Sequence, residues 1–425
     1  MTRLIPNSDL ERLVQDLNQE AQTGAADPDA VDAVDAVDAV DAVPAAAPAV
    51  LSVPTPPGFV PREAEVARDS ALEAILLESA RRGASDVILV HGEPPVLRLA
   101  GRLVKSEADR LTGEEIGRLF ERHLTPLLQT KLEETGAVDL SLRLPSEPPR
   151  RFRVNLHRQR GQLAAALRAL PPEIPTLASL NLPPMLAELV RPSRGLVLVC
   201  GPTGAGKSST LAALVGEINR TRNAHVITIE DPIEYEHPNG TALIEQVEVG
   251  SDSVSFAAAL RACLRQDPDV VLVGEMRDLE TVATALTAAE TGHLILATLH
   301  THDVAQAVHR IVDVFPGSQQ PQIRHQLALS LNAIICQQLI PRADGKGRLP
   351  AVEILTSNLA VRNHIRKDAL QNLATEITLG RRKGMVSLEE SLVALVRQRH
   401  VEVEEARARS GRPEELESLL AGLLP

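Results

Sequence analysis

The run Gly195-Leu-Val-Leu-Val-Cys-Gly-Pro-Thr-Gly-Ala-Gly-Lys-Ser208 decides the fold class of this 425-residue chain. The five residues after Gly195, Leu196 to Cys200, hold neither a charge nor a turn former, so they read as a buried strand. Gly201 to Ser208 then fits G-x-x-x-x-G-K-[ST], which chance would supply at roughly one start position in thirty thousand when glycine is ~7% of residues. A helix is expected from about Ser209 to Ile218. Strand, glycine-rich loop and helix in that order aim backbone N–H groups and a helix N-terminus at phosphates. Gly201, Pro202, Thr203, Gly204, Ala205, Gly206, Lys207, Ser208 and Ser209 are therefore the candidate nucleotide-binding residues. Lys207 would neutralise the β- and γ-phosphates of ATP, and Ser208 would ligate Mg²⁺.

Downstream, short apolar runs recur at Val226 to Ile229, Val270 to Val273 and Leu294 to Leu299, separated by helical stretches. That alternation indicates an α/β fold with a parallel sheet covered on both faces. Residues from about 320 onward read mostly as helices. Hydrolysis needs carboxylates near the γ-phosphate, and in an open α/β sheet the carboxyl ends of strands line the ligand crevice. Glu230-Asp231 and Glu275 stand at two such ends, with Glu275 a candidate for the Mg²⁺ shell through water. His293 and His300 bracket another strand; they are either structural or a pair that senses the γ-phosphate or relays its loss to the sheet.

Upstream, a smaller α+β lobe begins near residue 64. Leu72, Ile75, Leu76 and Ser79 share a helix face ending at Gly83, and strand-like runs follow at Val87 to Val90, Val96 to Leu99, Val138 to Leu142 and Phe152 to Leu156. One helix is expected from Thr112 to Lys131. Prolines at 171, 172, 175, 183 and 184 mark the end of the lobe. Before it, Ser8 and Glu11 form a capping-box pair ahead of Leu10, Leu13, Val14 and Leu17, a short amphipathic helix within residues 1–24. Asp-Ala-Val then repeats five times and prolines follow; a period of three buries no face, so residues 25–62 read as a disordered linker. The expected divisions are thus 1–24, 25–62, 63–172, 173–365 and 366–425.

Composition narrows the function. Net charge is −12, and the aromatics are one Tyr, five Phe and no Trp. That balance excludes a base-stacking platform and a chain held on nucleic acid by its overall field, so no nucleic-acid partner is expected. Cys200, Cys263 and Cys336 include no CxxC, and no apolar run approaches the ~18 residues that span a bilayer. A soluble protein of a reducing cytoplasm is expected.

The motifs also stand in a familiar order. Walker A at 201–208, Thr228-Ile-Glu-Asp-Pro-Ile-Glu234, Leu260-Arg-Ala-Cys-Leu-Arg-Gln-Asp-Pro-Asp269, Gly274-Glu-Met-Arg-Asp278 and Thr291-Gly-His-Leu-Ile-Leu-Ala-Thr-Leu-His-Thr301 resemble the Walker A, Asp box, arginine-bearing helix, Walker B and His box of type II and type IV secretion ATPases. Leu286-Thr-Ala-Ala-Glu-Thr-Gly-His293 and Val312-Asp-Val-Phe-Pro316 are similar to the PilT branch, the pilus retraction motors. The four-cysteine insert usual in extension and type II secretion motors does not occur in this sequence. The resemblance covers about residues 70–400, including Gly83-Ala-Ser-Asp86 and Arg151-Phe-Arg-Val-Asn155.

The resemblance implies a PAS-like first lobe, a RecA-like ATPase domain followed by C-terminal helices, and a ring-shaped homo-hexamer with ATP between the lobes. It implies that Glu230 and Glu275 are the catalytic glutamates, that His293 and His300 are the His-box residues, and that Arg153, Arg168, Arg261 and Arg265 approach the phosphates. It further implies a motor for pilus retraction, cytoplasmic and peripheral at the inner-membrane pilus machine. Its partners would be the platform protein and an assembly or accessory motor ATPase. A pilus assembly or type II secretion ATPase, or an accessory retraction motor, are the alternatives. The sequence departs from the family at Ile88, where a His is usual. It departs again in the retraction-branch helix motif, which reads Ala360-Val-Arg-Asn-His-Ile-Arg-Lys367 with His364 in an apolar place and Lys367 in an acidic one.

Because residues 25–62 have no period that buries a face, removing residues 1–62 is expected to leave melting temperature and basal ATPase activity nearly unchanged. A large fall in melting temperature would show that the tail packs on the core.

Overall fold

The computed structural model describes residues 70–422 apart from 100, 145–149 and 172. The amphipathic segment and the repeat linker read at 1–62 lie outside the described residues. The first sheet is antiparallel throughout, in the order β3-β2-β1-β6-β5-β4. Helix α1 (Ser70–Arg81) leads into β1 (Asp86–Leu89), β2 (Val96–Leu99) and β3 (Arg102–Lys105). Then come α2 (Gly113–Phe120), α3 (Pro126–Thr135), β4 (Ala137–Leu144), β5 (Arg150–Gln159) and β6 (Gln162–Ala169). Helices and sheet share one core that includes Leu72, Leu76, Ile116, Phe120 and Phe152.

The single helix expected from Thr112 to Lys131 is in fact two. Thr112 and Glu115 close a capping box on α2, which stops at Phe120. Thr125 then caps a new helix whose first residue is Pro126, and proline lacks the N–H needed to continue the earlier one. Strands β3 and β6 carry too few large apolar residues to stand out in sequence. β3 is a largely exposed edge, and β6 is rich in alanine.

The second sheet runs β13-β12-β7-β11-β10-β8-β9. Its elements begin with β7 (Gly195–Cys200), α4 (Lys207–Thr221), β8 (His225–Glu230), β9 (Leu243–Glu248), α5 (Phe256–Cys263), β10 (Val270–Val273), α6 (Leu279–Thr291) and β11 (Leu294–Leu299). They continue with α7 (Val304–Asp313), α8 (Gln320–Ser330), β12 (Leu331–Pro341) and β13 (Arg348–Thr356). All neighbours are parallel except β12 with β13. The expectation of helices from 320 onward therefore needs correction, and the sheet is mixed. A fully buried strand and a buried helix share the same run of apolar residues, and Gln337-Gln338 breaks the run further. The turn Asp344-Gly-Lys-Gly347, with both glycines at positive φ, makes the hairpin.

The chain ends in α9 (Leu359–Arg366), α10 (Leu373–Leu379), α11 (Leu388–Arg397), α12 (Val403–Arg409) and α13 (Pro413–Ala421). The last three pack on β12 and β13 through Ile340, Leu392, Ala406 and Leu416. Beneath them lies a buried polar cluster. Glu353 on β13 accepts from the Val304 N–H of α7 at 3.0 Å, while Arg412 donates to Glu389 at 2.7 Å and stands 3.9 Å from Glu353. Burial pushes the Glu353 carboxyl up from 4.5 to about 7.

A carboxyl whose folded pKa is raised holds its proton in the native state after the unfolded chain has lost it, so stability falls as pH rises between the two values. The chain is expected to lose on the order of 3 kcal/mol of stability between pH 4.5 and 7 through this group. Glu353→Gln should flatten that part of the melting-temperature curve. An unchanged slope would contradict the assignment.

Candidate nucleotide site

Parallel register gathers the site at one edge. Cys200 pairs with Leu299, Val273 with Ala297, and Val273 with Ile229, so β7, β11, β10 and β8 end at a common level. The glycine loop, His300, Glu275 and Glu230 all follow from those ends. His300 and the two carboxylates are thereby carried to the loop by the sheet and not by local sequence.

The loop is built on glycine geometry. Gly201, Gly204 and Gly206 have φ of 147°, 78° and 87°, a region that side chains disfavour. A Cβ at Gly201 would lie 2.4 Å from the Gln337 carbonyl oxygen of β12, so nothing larger passes there. Helix α4 starts at Lys207 itself, earlier than the expected Ser209, and runs on to Thr221. Gln337, 2% exposed, fastens both ends of the turn: its Nε2 donates to the Ala205 carbonyl at 2.5 Å and its Oε1 accepts from Thr210 Oγ1 at 2.8 Å. The Lys207 ammonium donates to the carbonyls of Gly201 and Pro202 at 2.8 and 3.1 Å. Burial lowers its pKa, and the charge of Glu275 draws it back up.

Glu230 is the last residue of β8. Its Oε1 accepts from Thr228 Oγ1 at 2.7 Å and from Gln246 Nε2 at 3.1 Å, while burial holds its carboxyl above the ordinary range. Glu275 follows Gly274, where a Cβ would come within 3.0 Å of the Ile229 carbonyl oxygen. Its Oε1 lies 3.2 Å from His300 Nε2 and contacts Arg277 Nε.

The remaining candidates fall elsewhere within the chain. His293 precedes β11 at the amino end, where its carbonyl accepts from Gly195 N–H and its Nδ1 lies 3.1 Å from the Ala288 carbonyl oxygen. A six-residue strand at ~3.3 Å per residue separates it from the His300 end by ~20 Å. The two histidines therefore stand at opposite edges of the sheet, and of the two His300 is the one that meets Glu275 beside the loop. Arg153 and Arg168 are cross-strand neighbours on the first sheet, with Asp139 at 3.9 Å from Arg153 and Asp86 at 3.1 Å from Arg168. Arg261 pairs with Glu280, and Arg265 donates to the Arg261 carbonyl at 3.0 Å. Each of the four is held by a local partner.

Residues that the sequence reading missed do much of the fixing. Gln246, Tyr235 and Gln337 hold the site, and Arg151 spans from the first sheet to the Ile233 carbonyl at 3.0 Å and to Glu248 at 3.5 Å. Of these, Arg151, inside the motif at 151–155, and Gln337, a polar residue inside an apolar run, carry a signal in the sequence.

The Type II/IV secretion system protein family model matches residues 140–418, which hold the loop, both carboxylates and His300. The chain belongs to the type II/IV secretion system family. It is 43% identical to a twitching motility protein of Neisseria gonorrhoeae, covering 76% of this chain and 86% of that one. It is 40% identical to the type IV pilus retraction ATPase PilT of Pseudomonas aeruginosa, covering 80% and 98%. A crystal structure of the pilus retraction motor PilT with bound ADP superposes with a TM-score of 0.75 at 45% identity, covering 81% and 98%. Within the matched residues, Glu275 and His300 meet at 3.2 Å.

Geometry therefore separates the histidines. His300→Ala is expected to lower ATP turnover at least ~100-fold, and His293→Ala less than ~5-fold, in steady-state assays of the full chain. Equal losses would contradict the placement.

Proposed function

We propose that this secretion-family chain is a Mg²⁺-dependent ATPase working as a homo-hexamer that retracts a type IV pilus. It would act from the cytoplasm against the platform protein of the inner-membrane pilus machine. The observation that carries the reading is the meeting of the glycine loop, Glu230, Glu275 and His300 at one sheet edge, in a chain similar over most of its length to retraction motors.

In this reading the loop N–H groups and Lys207 cradle the phosphates. Lys207 exchanges its bonds to the Gly201 and Pro202 carbonyls for phosphate oxygens. Ser208 and Glu275 fit Mg²⁺, a hard cation that prefers oxygen donors and keeps most of its shell as water and phosphate. Accordingly, no cluster of three or more His, Cys, Asp or Glu is needed, and none occurs among the described residues. When bound there, Mg²⁺ would supply positive charge that offsets the charge of the phosphates. Glu230, a carboxylate made more basic by burial, orients and deprotonates the attacking water, and Glu275 with His300 reads the γ-phosphate. Arg168, exposed on the first sheet, and Arg153, half-buried beside it, are suited to a neighbouring subunit's phosphates, and Arg261 and Arg265 supply charge from α5 and just past its end.

On α9 the retraction-branch motif is anchored. Arg362 Nε donates to Ser357 Oγ at 3.1 Å, and Arg366 contacts Asn363. The departure at His364 has a local explanation: its Nε2 is 3.4 Å from Glu376 and its Nδ1 3.4 Å from Asn372, so it ties α9 to the segment that follows. An assembly or secretion motor, or an accessory retraction motor, is the second reading. Four substitutions test the first. Lys207→Ala should lose nucleotide binding, whereas Glu275→Gln should bind ATP and lose turnover by ~100-fold or more. Arg362→Ala with Arg366→Ala should keep most ATPase activity and leave cells unable to retract, with excess surface pili. Normal twitching in the double variant would point to a motor of another kind.

A further inference from the structure

Glu230 does not reach its position through its own strand alone. In the parallel ladder Gln246 of β9 lies opposite Thr228, and Glu248 opposite Glu230. With a side-chain period of two, Thr228, Glu230 and Gln246 share one face. Gln246 is fully committed there. Its Oε1 accepts from the His237 N–H at 2.8 Å, which turns Nε2 towards two acceptors, the Tyr235 carbonyl at 2.9 Å and Glu230 Oε1 at 3.1 Å. The backbone donor at His237 fixes the orientation of the amide, since the reverse assignment would set N–H against N–H. Tyr235, 8% exposed, sends its hydroxyl to Ser209 Oγ at 2.8 Å, in the first turn of α4 two residues past Lys207.

The geometry points to Gln246 and Tyr235 as positioning residues for hydrolysis, a hydrogen-bonded relay through which the phosphate-loop helix sets the orientation of the Glu230 carboxylate. The inference rests on the reading of Glu230 as a catalytic glutamate. A Glu side chain has three rotatable bonds, and a group that activates water must be held to about 0.5 Å. Thr228 and Gln246 both grip Oε1, the Glu234 backbone also bonds the carboxylate, and Gln246 is the side chain that ties that grip to Tyr235 and so to the loop that receives phosphate. The other charged group acting on Glu230 is Glu234 in its own loop, whose charge opposes ionisation. Glu248 beside it is taken up by Ser141 at 3.2 Å and Arg151 at 3.5 Å.

Gln246 stabilises the ionised form of Glu230, so its removal must raise the pH at which the carboxylate forms. In the full chain, Gln246→Leu is expected to lower kcat about 10-fold with KM within about 2-fold and to move the acid limb of the kcat profile up by about one pH unit. Gln246→Met, closer in volume, carries the same expectation if the first variant folds poorly. Tyr235→Phe keeps the carbonyl that Gln246 uses, so it should lower kcat without moving the acid limb.

The sequence offers a readout apart from turnover, because Tyr235 is the one tyrosine and there is no tryptophan. Tyrosine emission should change saturably as ADP is titrated into the wild type. Ser209→Ala, held at an ADP concentration that saturates it by calorimetry, should lose that change. A silent wild-type signal, or an unmoved acid limb in folded Gln246→Leu or Gln246→Met, overturns the relay. Glu230→Gln in the same series separates the two ideas. If it keeps turnover, the reading of Glu230 falls and the relay with it; if it loses turnover while the Gln246 variants behave as wild type, the relay alone falls.

Discussion

One buried side chain, the Gln337 amide of β12, holds the phosphate loop against the sheet. It grips Ala205 before the helix and Thr210 inside it, and its own carbonyl oxygen stands where a side chain at Gly201 would have to go. A buried amide left half satisfied costs about 1–3 kcal/mol, so the two bonds and the glycine constrain one another. The register of β12 on β7 shifts between Leu331 and Ala333, and the pairing after that shift sets Cys336 opposite Cys200, one residue before each partner of this contact. Loop shape thus depends on a strand more than 130 residues downstream.

The same logic extends along the sheet edge. Parallel strands ending at one level deliver Glu230, Glu275 and His300 to the loop, and charge sorts them there. Glu275 faces His300 and Arg277, and its field supports the buried Lys207 ammonium. Glu230 sits in a drier place, held by neutral donors. Two carboxylates at one edge accordingly have different chemistry: one is set among cations, and the other is raised towards the basicity of a proton acceptor. Arg151 reaches from the first sheet to the loop just beyond Glu230, so displacement of the first lobe bears directly on that carboxylate's surroundings.

The Walker loop, the strands that lead to it and both glutamates were legible because their signals are local: an apolar run, glycines at fixed spacing, an acid at a strand end. What was illegible is non-local. β12 and β13 look like helix until a partner strand is known, and Pro126 was outweighed by apolar periodicity on either side. His293 looked equivalent to His300 because both flank one strand, although a strand separates its ends. Gln246 and Tyr235 carry no motif; they matter through a cross-strand register that only the fold defines. In sequence His364 is a polar departure in an apolar motif; in the fold Glu376 and Asn372 stand beside it.

The most direct test of the account is an electron cryomicroscopy structure of the full-length wild-type chain assembled with Mg²⁺ and a non-hydrolysable ATP analogue. The account predicts the γ-phosphate between Lys207 and the edge formed by Glu230, Glu275 and His300. It also predicts Glu230 within one water of the phosphorus, and an arginine from a neighbouring first lobe completing the site. A nucleotide bound with Glu230 and Glu275 both turned away from the γ-phosphate, or a site closed by one chain alone, would contradict it.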